Sequence, residues 1–452
     1  MLDTLILNAR IADGISEKEE DSLGIQGDKI VFLGKSGAAL PPARCTLDAH
    51  GAALLPGIID IHAHSDSNRD CAEKLLAQGV TSVVSGNCGL SPELDFAAFR
   101  ARFEQQGYPV NQAEQIGHSS LRFAAGNGNF YKASSPEQIA AMQTLIEKAF
   151  DEGAAGLSFG LEYDPGAPFE EALSLAQTAA RASKHKRTPF ISIHARKVDR
   201  DNDDSILEAI ALAEHTGARV VISHLVYMWN GDSLKRALDR IDAARRRGVD
   251  IWADSGMWTA YCTTAGSAVF DEDEFRRKGY DFNKVRAASG KYAGQFLNLE
   301  KYREVRRTSP KDGFIYDPGC PGDVRNALSL PDVMVSTDAA PALPGQGHPQ
   351  NAGTYPYFFR VFSGSLFTLT EAARRTSLVP ALALNLNKGR IAPGADADIA
   401  LFDLPRLREK ADFPGTGDPN ALPEGVLHVF VNGVLSWTCG KRVQDVYAGR
   451  ML

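Results

Sequence analysis

Short apolar segments alternate with helix-like stretches through residues 53–388 of the chain. Eight of these segments are typical of β-strands, because they are short, apolar and bounded by turn residues. In chain order they are GIIDIHAH, TSVVSGNCG, LRFAAGN, AAGLSFGLE, PFISIHAR, RVVISHL, DIWADSG and VMVSTDAA. Helical patterns such as SPEQIAAMQTLIEKAFDEG separate most of them. Eight strand-then-helix units predict a (β/α)8 TIM-like barrel.

The two ends of the chain follow a different pattern. Residues 1–52 and 389–452 carry alternating apolar and polar side chains between turn residues, as in DTLILNARI and GVLHVFVNGVLSW. This alternation predicts strands with one buried face. We therefore expect a small β-sandwich formed by both chain ends, beside a barrel domain at 53–388. Residues 268–325 are rich in charge and glycine, and they indicate an inserted subdomain or lid in the barrel.

The composition argues against several classes of partner. The net charge of −7 gives no reason to expect a nucleic acid. No apolar run approaches the roughly 20 residues that span a membrane. The six cysteines are scattered without a C-x-x-C pair, and the N-terminal segment lacks a signal-peptide pattern. We expect a cytoplasmic protein that acts on a small molecule. Whether it forms a homo-oligomer stays open.

Side chains that can bind a metal end five of the predicted strands. They are His62 and His64 on the first strand, Cys88 on the second, His194 on the fifth, His224 on the sixth and Asp338 on the eighth. The carboxyl ends of the strands form the active-site face of such a barrel, so the six should converge. Side chains at i and i+2 of a strand share a face, which lets His62 and His64 reach one ion. This donor set suits a zinc-like ion.

Each of these residues also has a purely structural interpretation. A lone H-x-H on a strand is weak evidence for a metal, and a single buried cysteine is usually a small hydrophobe. Asp338 in STDAAP fits a turn or a helix cap. His194 and His224 fit core histidines. Their shared position at one end of several strands favours the metal site, because independent core residues need not share it.

The order of these motifs resembles the amidohydrolase superfamily, and specifically the N-acyl-D-amino-acid deacylase (D-aminoacylase) family. Matching stretches include PGIIDIHAHSD, GVTSVVSGNCGLSP, GHSSLR, GAAGLSFGLEYDPG, IHAR, ISHL, MVSTDAAP and GHPQNAGTYP. The resemblance implies a TIM-like barrel with a terminal β-sandwich. It also implies a zinc-dependent amidohydrolase that acts on C–N bonds other than peptide bonds.

The resemblance also implies how the metal is held. One tightly bound Zn²⁺ would lie on Cys88, His194 and His224. A second, weaker site would lie on His62, His64 and Asp338, with the thiolate as a bridge in some states. Many superfamily members carry a carboxylated lysine on the fourth strand, whereas GLSFGLEY offers Glu162 instead. Asp338 would take a proton from the zinc-activated water and pass it to the departing amine.

Three positions that hold the substrate carboxylate in this family differ here. The family has a lysine after SHL, a tyrosine after the seventh strand and an arginine in GHPR, whereas this chain has Val226, Gly256 and Gln350. A buried carboxylate without a partner is costly. We therefore predict an amide substrate without a free α-carboxylate at the usual place. The candidate substrate-binding residues are Arg196, Tyr227, Gly256, Trp258 and Gln350.

Other interpretations stay open at this point. Substrate anchors could come from the insertion at 268–325, or from Arg196 or Lys197. A cyclic-amide hydrolase of the hydantoinase or dihydroorotase kind is the main alternative, although these enzymes carry the fourth-strand lysine that is absent here. A deaminase is disfavoured, because HARKVD and HLVYMW lack His-x-x-Glu. A non-catalytic assembly protein would be expected to have lost ligands, and all six are present.

Overall fold

The structure is a computed structural model that describes residues 1–37, 39–183, 190–196 and 203–452. Lys197, one of the alternative substrate anchors, lies outside the described residues. Within those ranges, no helix has both the length and the apolar character that a bilayer crossing requires.

Eight parallel strands of the described residues form one sheet in chain order. They are Ile58–Asp60, Val80–Ser85, Asn111–Gly117, Gly156–Gly160, Phe190–His194, Arg219–Ile222, Ile251–Ser255 and Val333–Val335. The first and eighth strands meet through a parallel bridge between Ala63 and Ala339. There the backbone N–H of His64 donates to the carbonyl of Ala339 at 2.7 Å. These contacts close the barrel, and the predicted fold class is confirmed.

Helices connect the barrel strands or follow the last one, and most of them pack on the outside of the barrel. Their bounds are Arg69–Leu76, Phe96–Gln106, His118–Ala124, Pro136–Asp151, Phe169–Ser183, Asp204–Thr216, Leu225–Met228, Gly231–Arg246, Gln350–Phe362, Leu369–Ala373 and Val379–Leu384. The helix Pro136–Asp151 shows which local features of the sequence begin a helix and bury one of its faces. Ser135 and Gln138 form a reciprocal capping box, and proline stands in the first turn, where it removes no helical hydrogen bond. Met142, Ile146 and Phe150 recur every four residues and are buried.

The third barrel strand does not lie where the sequence predicts it. LRFAAGN was expected to be this strand, but Leu121 lies in the helix His118–Ala124, and the strand is Asn111–Gly117. All seven residues of this strand are buried although four of them are polar. Gln115, for example, donates to Asn87 Oδ1 at 2.8 Å and accepts from Ser192 Oγ at 3.0 Å across the barrel interior. Apolar patterning therefore gives no signal for this strand.

Strands from both ends of the chain form two sheets beside the barrel. Among the described residues, one sheet holds Lys29–Gly34, Ser22–Gln26, Leu2–Leu7 and Ala43–Asp48. The other holds Arg10–Ile11, Ala53–Pro56, Ile399–Phe402, Val426–Val431, Val434–Thr438 and Lys441–Arg442. Ile6 and Ile25 of the first sheet share one apolar core with Leu54, Ile399 and Phe430 of the second. The predicted sandwich of both chain ends is thus present. The division at residues 52 and 389 stays a prediction.

A small sheet and two helices lie between the seventh and eighth barrel strands. The sheet strands are Tyr261–Thr264, Gly313–Tyr316 and Arg286–Ala287, and the helices are Glu272–Arg277 and Leu299–Thr308. A short helix, Asp323–Ala327, follows before the eighth strand. Phe270, Phe275, Tyr302 and Phe314 form the core of this segment. We call residues 261–316 the insertion; its predicted bounds, 268–325, stay a prediction.

A buried ion pair joins the terminal sheets to the barrel. Lys388 pairs with Asp398, and both side chains are almost fully buried. Asp398 also accepts hydrogen bonds from the backbone N–H of Asn432 at 2.9 Å and from Asn111 of the third barrel strand at 3.3 Å. Removing one partner of a buried pair leaves the other charge without compensation.

We predict that Asp398→Ala lowers the free energy of unfolding by about 3 kcal/mol or more. The matched control is Lys410→Ala, which breaks an ion pair with Glu424 in which both side chains are at least half exposed. Such surface pairs contribute about 0–1 kcal/mol. Urea denaturation followed by tryptophan fluorescence compares the two. Equal shifts of the urea midpoint in both variants would contradict the prediction that the buried pair between the terminal sheets and the barrel stabilises the fold more than a surface pair does.

Candidate metal centre

The six side chains predicted to bind metal converge at the carboxyl end of the barrel. The Cys88 thiol lies at the middle of the group. Its Sγ is 3.3 Å from His62 Nε2, 3.6 Å from His194 Nδ1 and 3.6 Å from His224 Nε2. His194 Nδ1 and His224 Nε2 are 3.1 Å apart. Four side chains from four different barrel strands thus present one thiol and three ring nitrogens to a common point.

These separations match the ligand shell of a zinc ion. Bonds of about 2.0 Å to nitrogen and 2.3 Å to sulfur at tetrahedral angles place ligand atoms roughly 3.3–3.6 Å apart. The observed distances and the thiol–imidazole chemistry fit a zinc-like ion at this point.

A second group of donors adjoins the first. Asp338 Oδ1 lies 3.4 Å from His62 Nε2 and 3.2 Å from His64 Nε2. His62 Nε2 therefore belongs to both groups, and Cys88 lies beside it. The arrangement offers room for one ion on the thiol side and for another on the carboxylate side.

Three of the six residues have a backbone conformation that side chains rarely adopt. The φ angles are +52° at Cys88, +36° at His224 and +54° at Asp338. Such positions cost on the order of 1–3 kcal/mol each and persist only where their surroundings hold them. The carboxylate of Asp254 accepts from the backbone N–H of His224 at 2.9 Å, and the N–H of Asp338 donates to the His62 carbonyl at 2.8 Å. These two hydrogen bonds help to hold the strained backbone at His224 and Asp338.

Close backbone approach also fixes the position of the cysteine. A Cβ on Gly160, at the end of the fourth strand, would lie 2.1 Å from the carbonyl oxygen of Cys88. Only glycine fits there. The glycine of SFGLE thus allows the GNCG turn to reach the barrel axis.

Carboxylates contact the outer ring nitrogens of two histidines. Glu162 Oε2 lies 3.0 Å from His194 Nε2, and Asp254 Oδ2 lies 3.8 Å from His62 Nδ1. Burial raises the pKa of Glu162, but the charge of Lys278 and the contact with His194 outweigh burial and hold this pKa below its usual range. Glu162 is therefore ionised. A carboxylate in this position fixes the tautomer and orientation of a metal-binding imidazole.

The electrostatics of the centre favour the charged forms of its sulfur and oxygen donors. Burial raises the pKa of the Cys88 thiol, but the charge of His62 and hydrogen bonds with His194 and His224 lower it well below its usual value. Burial likewise raises the pKa of Asp338, and contacts with His62 and His64 outweigh that effect. A thiolate and a carboxylate are the forms that bind metal ions.

The donors open into a cavity of about 1000 Å³. Its walls include Tyr163, Tyr227 and His348 from the barrel, and Lys278 and Lys311 from the insertion. A volume of this size accommodates an organic substrate together with water. The centre is thus accessible to a small molecule.

Three predicted substrate-binding residues lie together, two of them joined by a hydrogen bond and the third, Gly256, packed against Tyr227. The Tyr227 hydroxyl donates to Gln350 Oε1 at 2.8 Å, and Gln350 Nε2 donates to the backbone carbonyl of Asp338 at 2.6 Å. A Cβ on Gly256 would lie 2.4 Å from the Tyr227 hydroxyl oxygen. The phenol therefore fills the space in which a side chain at position 256 would begin. Tyr227 and Gln350 line the cavity.

The other two predicted substrate-binding residues have partners away from the donors. Trp258 stacks on Tyr357 with ring centroids 5.4 Å apart. Arg196 makes two hydrogen bonds to Glu208, at 2.9 and 2.8 Å. Neither Arg196 nor Trp258 is among the described residues that line the cavity. A substrate contact for Arg196 or Trp258 stays a prediction.

Two residues beside the centre, Asp254 and Lys278, are not among those predicted from the sequence. Asp254 is the next-to-last residue of the seventh strand, so the positional argument that selected the other donors applied to it as well. Lys278 lies in the insertion, and its Nζ is 2.8 Å from Glu162 Oε1. No local pattern indicates where an inserted lysine will lie, so the sequence offered no signal for this contact.

Comparisons with known proteins agree with this architecture. A model of the amidohydrolase family matches residues 319–435. The chain is 30% identical to N-acyl-D-glutamate deacylase of Alcaligenes xylosoxydans xylosoxydans, over 96% of this chain and 93% of that protein. It is 28% identical to D-aminoacylase of the same organism, over 100% of this chain and 97% of that protein.

A solved structure extends the likeness to three dimensions. The crystal structure of N-acyl-D-glutamate deacylase from Bordetella bronchiseptica, complexed with zinc and a phosphonate inhibitor, has a TM-score of 0.87 at 27% identity. The match covers 100% of this chain and 99% of that one. Full-length relatives at this level of identity, with the same fold, establish that the chain belongs to the amidohydrolase superfamily and, within it, to the family of N-acyl-D-amino-acid deacylases, hydrolases of C–N bonds other than peptide bonds.

Proposed function

We propose that this chain hydrolyses the C–N bond of an amide with a zinc-activated water. The observation that carries the proposal is the set of three ring nitrogens within 3.3–3.6 Å of Cys88 Sγ. In proteins, a zinc ion so held lowers the pKa of its water to about 7 and polarises an amide carbonyl. Cys88, His194 and His224 are the proposed ligands of the tightly held ion. His62, His64 and Asp338 are the proposed ligands of a second, weaker site.

Asp338 is the proposed general base and acid. Its carboxylate lies beside His62 and His64 and lines the cavity. Because its pKa is held low, the carboxylate is ionised and can accept a proton from the attacking water. The same carboxylic acid can then donate that proton to the amine nitrogen as the C–N bond breaks. Proton transfer of this kind contributes about 10²–10⁴-fold to the rate.

The substrate is proposed to lack a carboxylate beside the scissile nitrogen. Val226, Gly256 and Gln350 stand where the family carries its carboxylate-binding lysine, tyrosine and arginine. The Tyr227 phenol lies over Gly256, and its hydroxyl is committed to Gln350. This neutral pair offers no charge to a carboxylate, whose burial without a partner is costly. An open-chain amide is favoured over a cyclic one, because Glu162 replaces the fourth-strand lysine of cyclic-amide hydrolases.

We expect Asp338→Asn to lower kcat by about 10²–10⁴-fold while zinc stays bound. The reason is that the asparagine side chain cannot take a proton from water and pass it to the leaving amine. Metal content by plasma emission spectrometry and steady-state kinetics test this. Asp332→Asn is the matched control, since Asp332 precedes the same strand at the opposite end of the barrel. Near-normal kcat in Asp338→Asn would contradict the assigned role.

Cys88→Ala is expected to lose tightly bound zinc, because the remaining side chains lack the thiolate at their centre. Cys71→Ala is the control, since Cys71 is also buried but lies in the helix Arg69–Leu76. Zinc per chain after dialysis against a weak chelator is the measurement. Full zinc in both variants would exclude Cys88 as a ligand.

A matched pair of substrates tests the missing anchors. N-acetyl-leucinamide and N-acetyl-leucine differ only in the carboxylate, and acetate release from both enantiomers gives kcat/KM. We predict that kcat/KM is at least tenfold higher for N-acetyl-leucinamide than for N-acetyl-leucine, equivalent to about 1.4 kcal/mol. Faster turnover of the carboxylate form would overturn the prediction. If that turnover also fell in Lys311→Met, the insertion would be the source of the anchor.

A further inference from the structure

One charged side chain of the insertion reaches the metal centre. Lys278 follows the helix Glu272–Arg277, and its Nζ lies 2.8 Å from Glu162 Oε1. The side chains are only 12% and 8% exposed, so the pair is largely shielded from water. Glu274 of the same helix lies 4.0 Å from Lys278 as a second, weaker partner. Because the pair is buried, the loss of one partner would leave the charge of the other without compensation.

The second oxygen of Glu162 contacts a proposed ligand. Glu162 Oε2 lies 3.0 Å from His194 Nε2, while His194 Nδ1 faces Cys88 and His224. Each oxygen of one carboxylate thus has its own partner. The ion-pair partners of Lys278 in the described part of the chain are Glu162 and Glu274, so Glu162 is its link to the proposed ligand His194.

The insertion is attached to the barrel on several sides of the cavity. The Tyr163 hydroxyl donates to Thr263 Oγ1 at 3.2 Å, beside the fourth strand. The backbone N–H of Gly347 donates to the Ala288 carbonyl at 2.9 Å, beyond the eighth strand. Tyr131, in the loop between the helices His118–Ala124 and Pro136–Asp151, contacts Asp271. These contacts hold Lys278 where it meets Glu162.

We propose that Lys278 is a positioning residue of the metal centre, which orients Glu162 and through it His194, so that zinc affinity depends on how the insertion is seated. The inference rests on the proposed zinc site. Partners of metal-binding histidines typically change metal affinity by about 10–100-fold when removed. Without Lys278, one Glu162 oxygen loses its partner in a buried site, and the carboxylate is no longer fixed at two points.

The test is zinc affinity, measured by competition with a chromophoric chelator rather than by turnover. Lys278→Met is expected to weaken binding about tenfold. Lys278→Arg, which keeps the charge and donors, is expected to retain affinity closer to that of the wild type. Lys291→Met is the matched control: it breaks an exposed ion pair with Glu304 in the same insertion and should leave zinc affinity unchanged.

A double-mutant cycle separates positioning from general destabilisation. If Lys278 acts through Glu162, Lys278→Met should have no further effect in a Glu162→Gln background. Additive effects, or unchanged affinity in Lys278→Met, would overturn the inference. If Lys278→Met fails to fold, Lys278→Gln enters the same cycle. Absence of zinc from the wild-type protein would instead overturn the proposed metal site, so the two failures are distinguishable.

Discussion

The convergence of three imidazoles on one buried thiol is the interaction on which the rest of the site depends. Cys88, His62, His194 and His224 come from four strands, and only a closed barrel brings the ends of those strands to one point. The first and eighth strands of the barrel also meet in this region, since the backbone of His64 is hydrogen-bonded to that of Ala339, next to Asp338. The fold and the donor set are therefore parts of one arrangement.

This arrangement is costly to the folded chain. Cys88, His224 and Asp338 have left-handed backbone conformations, and ionisable groups are buried around them. Asp254 and Glu162 offset part of that cost by fixing a backbone N–H and an imidazole. A bound cation would offset more, because it compensates the thiolate and the carboxylate directly. The local strain is thus consistent with a site that is complete only with its ion.

The sequence was sufficient to predict the barrel and the grouping of the six donors, because strand ends in a parallel barrel share one face. It was insufficient for the third strand, where buried Gln115 bonds to Asn87 across the barrel interior and buried Gln112 bonds to Glu114 of the same strand. It also missed Lys278, since contacts made by an insertion depend on how it is seated over the barrel. Gly256 was recognised as a departure, but only the structure shows the Tyr227 phenol occupying the vacated space.

X-ray absorption spectroscopy at the zinc edge of the purified, zinc-loaded protein tests the central claim most directly. We predict one sulfur neighbour at about 2.3 Å together with nitrogen or oxygen neighbours at about 2.0–2.1 Å. A shell composed of nitrogen and oxygen alone would contradict it, because Cys88 would then not bind the ion.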